Sequence, residues 1–149
     1  MSSLIKRIES DFIAAYKAKD TDRVSVLRML KTAVKNKQVE LQREPEEGEV
    51  LDLVTKQVKQ RQESVDQYTQ AGRTELAEQE AREMAILKDY LPEPLTEEEV
   101  AAIVDETIAK TGAAGMQDMG KVMGAITAAY KGRIDGKALS ALVRSKLNS

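Results

Sequence analysis

Pro92 and Pro94, one residue apart, interrupt a chain of 149 residues that otherwise carries apolar side chains at helical spacing almost throughout. Proline has no amide hydrogen to donate and drives the residue before it toward extended backbone, so no helix continues through Tyr90-Leu91-Pro92-Glu93-Pro94-Leu95. The break predicts two domains, residues 1–91 and 92–149. On both sides Ala, Leu, Lys, Glu and Gln predominate and aromatic residues make up only 3%, which favours helix over strand. The expected fold class is all-α, with a long N-terminal helical hairpin or bundle followed by a small C-terminal three-helix bundle.

The spacing predicts four helices before the break. Ser2 or Ser3 caps the first, which carries Ile5, Ile8, Phe12 and Ala15 on one face. Asp20 and Thr21 open the second. There Val24, Leu27, Leu30, Val34 and Leu41 keep the period until Pro45 and Gly48 stop it near Glu44, for roughly 24 residues and about 36 Å. A third is expected from about Glu49 to Ala71 with Gly72 as its left-handed terminator, and a fourth from an N-cap at Thr74 through Leu76, Ala77, Met84 and Leu87. Connections this short make the long N-terminal helices pair as hairpins. Beyond the prolines, Thr96 and Glu99 form a capping box ahead of Val100, Ile103, Val104 and Ile108, which end at Gly112. Two further helices start near Asp118 and near Asp135. So small a bundle is marginal by itself and gains from packing on the first part or on a partner.

Missing residue types narrow the chemistry. Without Cys or His there is no thiolate nucleophile, no imidazole base and no nitrogen or sulfur ligand for zinc. Thiol proteases, zinc hydrolases and Ser-His-Asp enzymes are excluded. Carboxylates are abundant, but their runs, such as Glu97 to Glu99, fall at helix starts, where they complement the dipole and cap amides. No catalytic residue, cofactor or metal site is expected, with a carboxylate-only magnesium site the single metal reading left open. No apolar run approaches the ~20 residues of a membrane span, and the opening residues are charged too early for a signal peptide. The expected location is cytoplasmic, without membrane association.

Gly115 to Lys121 has the G-x-x-x-x-G-K spacing of a phosphate-binding loop. Val122 stands where magnesium needs a hydroxyl, however, and no strand precedes the loop, so the segment reads as a turn entering a helix. Gly120 and Gly124 lie four apart within that helix, each costing about 1 kcal/mol relative to Ala. Two accounts are open: close approach of a neighbouring helix, or close approach of a ligand backbone such as a phosphate chain. Met116, Met119 and Met123 likewise suit either the tail's own core or an adaptable binding surface. Tyr16, Tyr68, Tyr90 and Tyr130 occupy apolar stripes or element ends and read as core residues with a wet hydroxyl.

Charge is segregated although the net value is only -2. Residues 6–43 hold ten basic and five acidic side chains, with Arg28, Lys31 and Lys35 on one helical stripe beside the apolar seam. From Met116 onward there are six basic residues against Asp118 and Asp135. Lys121, Lys131, Arg133 and Lys137 are the candidate nucleic-acid-binding residues. The last three cluster with Gly132 and Gly136 on one inter-helix turn, where amides and cations could meet phosphate oxygens together. Solvated faces are the competing reading of both stripes.

Several segments also carry a resemblance: Leu27-Arg28-Met29-Leu30, Lys59-Gln60-Arg61-Gln62-Glu63-Ser64, Ala71-Gly72-Arg73, Tyr90-Leu91-Pro92, Asp118-Met119-Gly120-Lys121-Val122-Met123-Gly124, Lys131-Gly132-Arg133 and Asp135-Gly136-Lys137. Together they resemble the YqeY family over essentially the whole chain. That family is similar to the C-terminal region of GatB, a subunit of the glutamine-dependent amidotransferase that corrects misacylated tRNA, where the related tail is implicated in gripping tRNA. The resemblance implies an all-α, non-catalytic module whose partner is tRNA or other structured RNA. It associates the chain with carbon–nitrogen ligation using glutamine as amide donor, without locating amidase machinery in it. The rival expectation is a helical interaction module docking on an amidotransferase or aminoacyl-tRNA synthetase subunit; a complete ligase in this chain alone is disfavoured.

Overall fold

The computed structural model describes residues 2–148. Among them the backbone forms seven α-helices, one short 3-10 turn and no strand. The chain divides into two compact units, Met1–Leu91 and Pro92–Ser149. The first contains α1 (Ser3–Ala18), α2 (Thr21–Leu41), α3 (Glu47–Gln70) and α4 (Thr74–Lys88). The second contains α5 (Glu97–Thr111), the 3-10 turn Met116–Asp118, α6 (Met119–Ala129) and α7 (Gly136–Leu147).

Helix ends follow from local chemistry. Ser2 Oγ accepts from the Ile5 amide at 3.4 Å, so Ser2 is the cap of α1. The neighbouring Leu4 amide donates at 2.9 Å to Glu47, at the head of α3, and the Ser2 hydroxyl donates to the same carboxylate. α1 closes on Lys19 in the left-handed region, and Asp20 at once caps α2 by accepting from the Arg23 amide at 3.2 Å. α2 stops at Leu41, short of the expected Glu44, with Gln42 left-handed. Pro45 explains this: its ring excludes the carbonyl four residues back, which belongs to Leu41, and it offers that carbonyl no donor. α3 begins at Glu47, earlier than the spacing predicts, because Glu49 reaches back to accept from the Glu46 amide at 2.9 Å. Thr74 is not a cap. Gly72 ends α3 at φ 74°, the Arg73 amide returns to the Tyr68 carbonyl at 2.8 Å, and Thr74 is already the first residue of α4.

α1 pairs with α2 and α3 with α4, while α2 and α3 meet over a shorter stretch than two long neighbours could offer. The first core gathers Ile8, Val26, Leu27, Leu30, Val50, Val54 and Leu87, all within 1% of full burial. Each such side chain contributes about 1.5–3 kcal/mol by leaving water. Leu76, expected inward, is 42% exposed, and Tyr16, expected in the core, is 65% exposed. Both lie on faces that no described helix of the unit covers.

In the second unit the Thr96 and Glu99 capping box is reciprocal, both amide-to-side-chain bonds being 3.1 Å. Gly112 ends α5 at φ 68°. Asp135 caps α7 by accepting from the Lys137 amide at 3.2 Å. Val104, Val122, Ile126, Leu139, Val143 and Leu147 form the core, and Met119 and Met123 pack against it, leaving Met116 outside. Gly120 and Gly124 face solvent, and a Cβ on either would meet nothing within 4 Å. The expected close approach of a neighbouring helix is therefore not what these glycines serve.

Candidate nucleic-acid interface

The α6–α7 turn is built by Tyr130 ending α6, Gly132 at φ 79° and Asp135 starting α7. Positive φ at Gly132 turns the chain without a Cβ penalty and sets Lys131 and Arg133 on either side of it. Arg133 also anchors the proline segment: its Nε donates to the Glu93 carbonyl at 2.9 Å, and its carbonyl accepts from the Leu95 amide at 2.9 Å. It is half-buried, as is Lys131, whereas Lys137 is exposed in the first turn of α7. Lys121 stands apart from this group, in the first turn of α6, about 14 Å along the helix axis from Tyr130. Its ammonium donates to the Thr111 carbonyl at 3.2 Å.

These partners matter for the electrostatics. A carbonyl takes up a donor without bringing a negative charge, so Lys121 stays a source of positive potential, while the Glu99 carboxylate offsets part of that of Arg133. Arg133 adds to the environment of Glu99, whose carboxyl is held below its usual range chiefly by the Thr96 amide, then by the Thr96 hydroxyl. Lys146, in contrast, is paired with Asp105 at 2.6 Å. Asp135 already occupies the N-terminus of α7, so an incoming phosphate would meet cationic side chains there rather than bare amides.

The basic stripe of the first unit is also on the surface. The Arg28 guanidinium lies 5.8 Å from the Phe12 ring centre and the Lys31 ammonium 4.3 Å from it, both within cation–π range. Lys35 and Lys19 are exposed nearby, and a groove of about 890 Å³ runs past Tyr16, Lys19, Arg28 and Met29. Periodicity marked Arg28, Lys31 and Lys35 but not Tyr16, Lys19 or Met29. The missed signal is the row Thr21, Ser25, Arg28, Thr32 and Lys35, a helical face without a single large apolar residue to bury.

Elsewhere the strongest polar cluster is structural. Arg61 on α3, with its side chain 11% exposed, bridges Glu80 and Glu83 on α4. Gln79 links Glu83 to Asp22 on α2. Among the described residues no group of three His, Cys, Asp or Glu side chains is placed to hold a metal ion. Among the same residues no helix is long and apolar enough to cross a membrane.

Fold and surface together define an all-α protein of two helical units with cations gathered at one turn of the second. The chain belongs to the YqeY-like family, whose model, described as Yqey-like protein, matches residues 5–147. Similar curated proteins are each called altered inheritance of mitochondria protein 41, mitochondrial. The one from Lachancea thermotolerans is 32% identical over 88 residues, covering 58% of this chain and 47% of the relative. The one from Eremothecium gossypii is 31% identical over 88 residues, covering 58% and 48%. That from Saccharomyces cerevisiae is 26% identical over 132 residues, covering 84% and 71%. The match thus spans about half the length of the first two relatives.

Proposed function

We propose that the protein is a non-catalytic accessory module that binds structured RNA, tRNA first among candidates, in support of glutamine-dependent tRNA amidation. The observation that carries this reading is the α6–α7 turn, where Lys131, Arg133 and Lys137 fall within seven residues and Arg133 is bonded to a carbonyl rather than a carboxylate. Lys121 extends the positive surface along α6, beside the open faces of Gly120 and Gly124, where a phosphate chain meets no side chain. Contacts of this kind read shape and phosphates rather than base sequence. The resemblance to the GatB tail supplies the choice of tRNA and of amidation.

Filter binding of the full chain to tRNA tests it. With four ion contacts the affinity falls about a hundredfold between ~50 and ~200 mM salt. Lys121→Ala, Lys131→Ala and Lys137→Ala each weaken binding and reduce the salt slope by about one. Arg133 is kept intact at first because it also holds the Glu93 carbonyl. No tRNA affinity at low salt, or triple-variant binding equal to that of the unaltered protein, overturns the reading.

A further inference from the structure

The RNA reading leaves the outer side of the α1–α2 hairpin unused. Thr21, Ser25, Arg28, Thr32, Lys35 and Val39 recur there at alternating steps of four and three residues. That is the spacing by which one helix meets another along a seam, yet all six are exposed. Two adjoining grooves follow the seam, about 890 and 610 Å³ in volume, sharing Arg28 and Thr32. Beside it, Tyr16 is 65% and Met29 54% exposed, although the Tyr16 ring centre lies 6.4 Å from that of Phe12 and Arg61 Nη2 donates to Met29 Sδ at 3.5 Å. No carboxylate lines the larger groove, whereas Lys19 and Arg28 do; in the smaller, Arg28, Lys31 and Lys35 outnumber Glu9 and Glu44.

We infer that this face docks an acidic amphipathic helix of another protein. From Thr21 to Lys35 the seam runs about 21 Å, the length of a helix of about 14 residues. Such a helix sets apolar side chains at i, i+3 or i+4 and i+7 over Tyr16 and Met29, and its carboxylates against Lys19, Arg28, Lys31 and Lys35. The floor of Ser and Thr side chains lets the two backbones come close, and the flexible Met29 adapts to whichever apolar residue arrives. Single-stranded nucleic acid fits less well. The Phe12 ring already has Arg28 and Lys31 within cation–π range, the exposed Tyr16 by itself offers no succession of rings for stacked bases, and Met29 gains nothing against phosphates.

The test is an NMR titration of the full-length, 15N-labelled protein with a synthetic peptide of about 14 residues, helical, with Leu at i, i+3/i+4 and i+7 and Glu on its flanks. Expected are shifts confined to the amides of Tyr16, Lys19, Thr21, Ser25, Arg28, Met29, Lys31, Thr32, Lys35 and their immediate neighbours. Arg28→Glu with Lys35→Glu weakens binding about tenfold or more, and Tyr16→Ser with Met29→Ser does so independently. These side chains are exposed, so the circular dichroism melts of the variants stay close to that of the unaltered protein. Absence of shifts at these amides up to ~1 mM peptide, weaker than any useful docking contact, overturns the inference. So do equal shifts with a scrambled peptide, or a single-stranded oligonucleotide that occupies the same amides in preference. Lys121→Ala, Lys131→Ala and Lys137→Ala leave the peptide titration unchanged, which separates this surface from the RNA reading.

Discussion

The Tyr90 hydroxyl donates to Asp11 Oδ2 at 2.5 Å, fastening the residue that follows α4 to the middle of α1. Arg7 completes the clasp: its guanidinium lies 4.5 Å from the centre of the Tyr90 ring, and its Nη2 donates to the Asp89 carbonyl at 3.0 Å. Tyr90 is 3% exposed and belongs to the first core. The clasp thus joins apolar burial, a charge-assisted hydrogen bond and a cation–π contact in one place, immediately before the prolines.

Tyr90→Phe removes the hydrogen bond while keeping the ring, and costs about 1–2 kcal/mol in urea unfolding at neutral pH. The pH dependence is a second readout. Burial first, then the Asp11 hydrogen bond and charge, push the Tyr90 phenol above its usual range. The folded protein therefore keeps this proton after the unfolded chain has begun to lose it. Stability from this group is complete below pH ~10 and declines as pH rises beyond it. The unaltered protein should lose stability more steeply than Tyr90→Phe above that pH; parallel slopes would contradict the assignment.

Acid acts through Glu49 and Glu47. The Arg43 side chain, followed by the Glu46 amide, lowers the Glu49 carboxyl to about 2. The Ser2 hydroxyl, followed by the Leu4 amide, lowers that of Glu47. A depressed folded value gives stability that is present above the ordinary carboxyl value and lost as pH falls through the folded one. For Glu49 that window runs from 4.5 down to about 2. Glu49→Gln should flatten the acid unfolding curve over this window, and added salt should diminish the Arg43 part because the pair is at the surface. A carboxyl titration that places Glu49 at its ordinary value would refute the account.

Gly124→Ala should stabilise the second unit by about 1 kcal/mol, since the helix loses a flexible residue and the new methyl group meets no neighbour within 4 Å. Thermal unfolding followed by circular dichroism measures it, and a lower midpoint would contradict the open face. The tRNA affinity of the same variant is expected to drop, because the methyl group stands where the phosphate chain is proposed to pass.

What could be read from the sequence is what depends on neighbours along the chain. The all-α fold, the Thr96 and Glu99 box, the caps at Ser2 and Asp20, the helix start near Asp135, and the glycine terminators at 72 and 112 all depend on residues a few positions away. Periodicity carries α2 on to Glu44 because it takes no account of a proline acting four residues upstream of its own position. It marks Thr74 as a cap because one turn terminates α3 and starts α4 together. Tyr16 and Leu76 lie on faces whose exposure depends on which helices pair, and periodicity within one helix carries no such information. The cations at 121, 131, 133 and 137 were visible as residue types. That Arg133 is bonded to a proline-segment carbonyl, and Lys121 to the last turn of α5, required the three-dimensional chain.

The carboxylate that serves the Leu4 amide arrives 43 residues later in the chain. During synthesis this turn of α1 is made with that amide bonded only to water, and its permanent acceptor emerges after α1 and α2 have been made. The turn is thus among the parts of the first unit completed late. Any agent that delays arrival of the third helix leaves that turn frayed and open to competing chains.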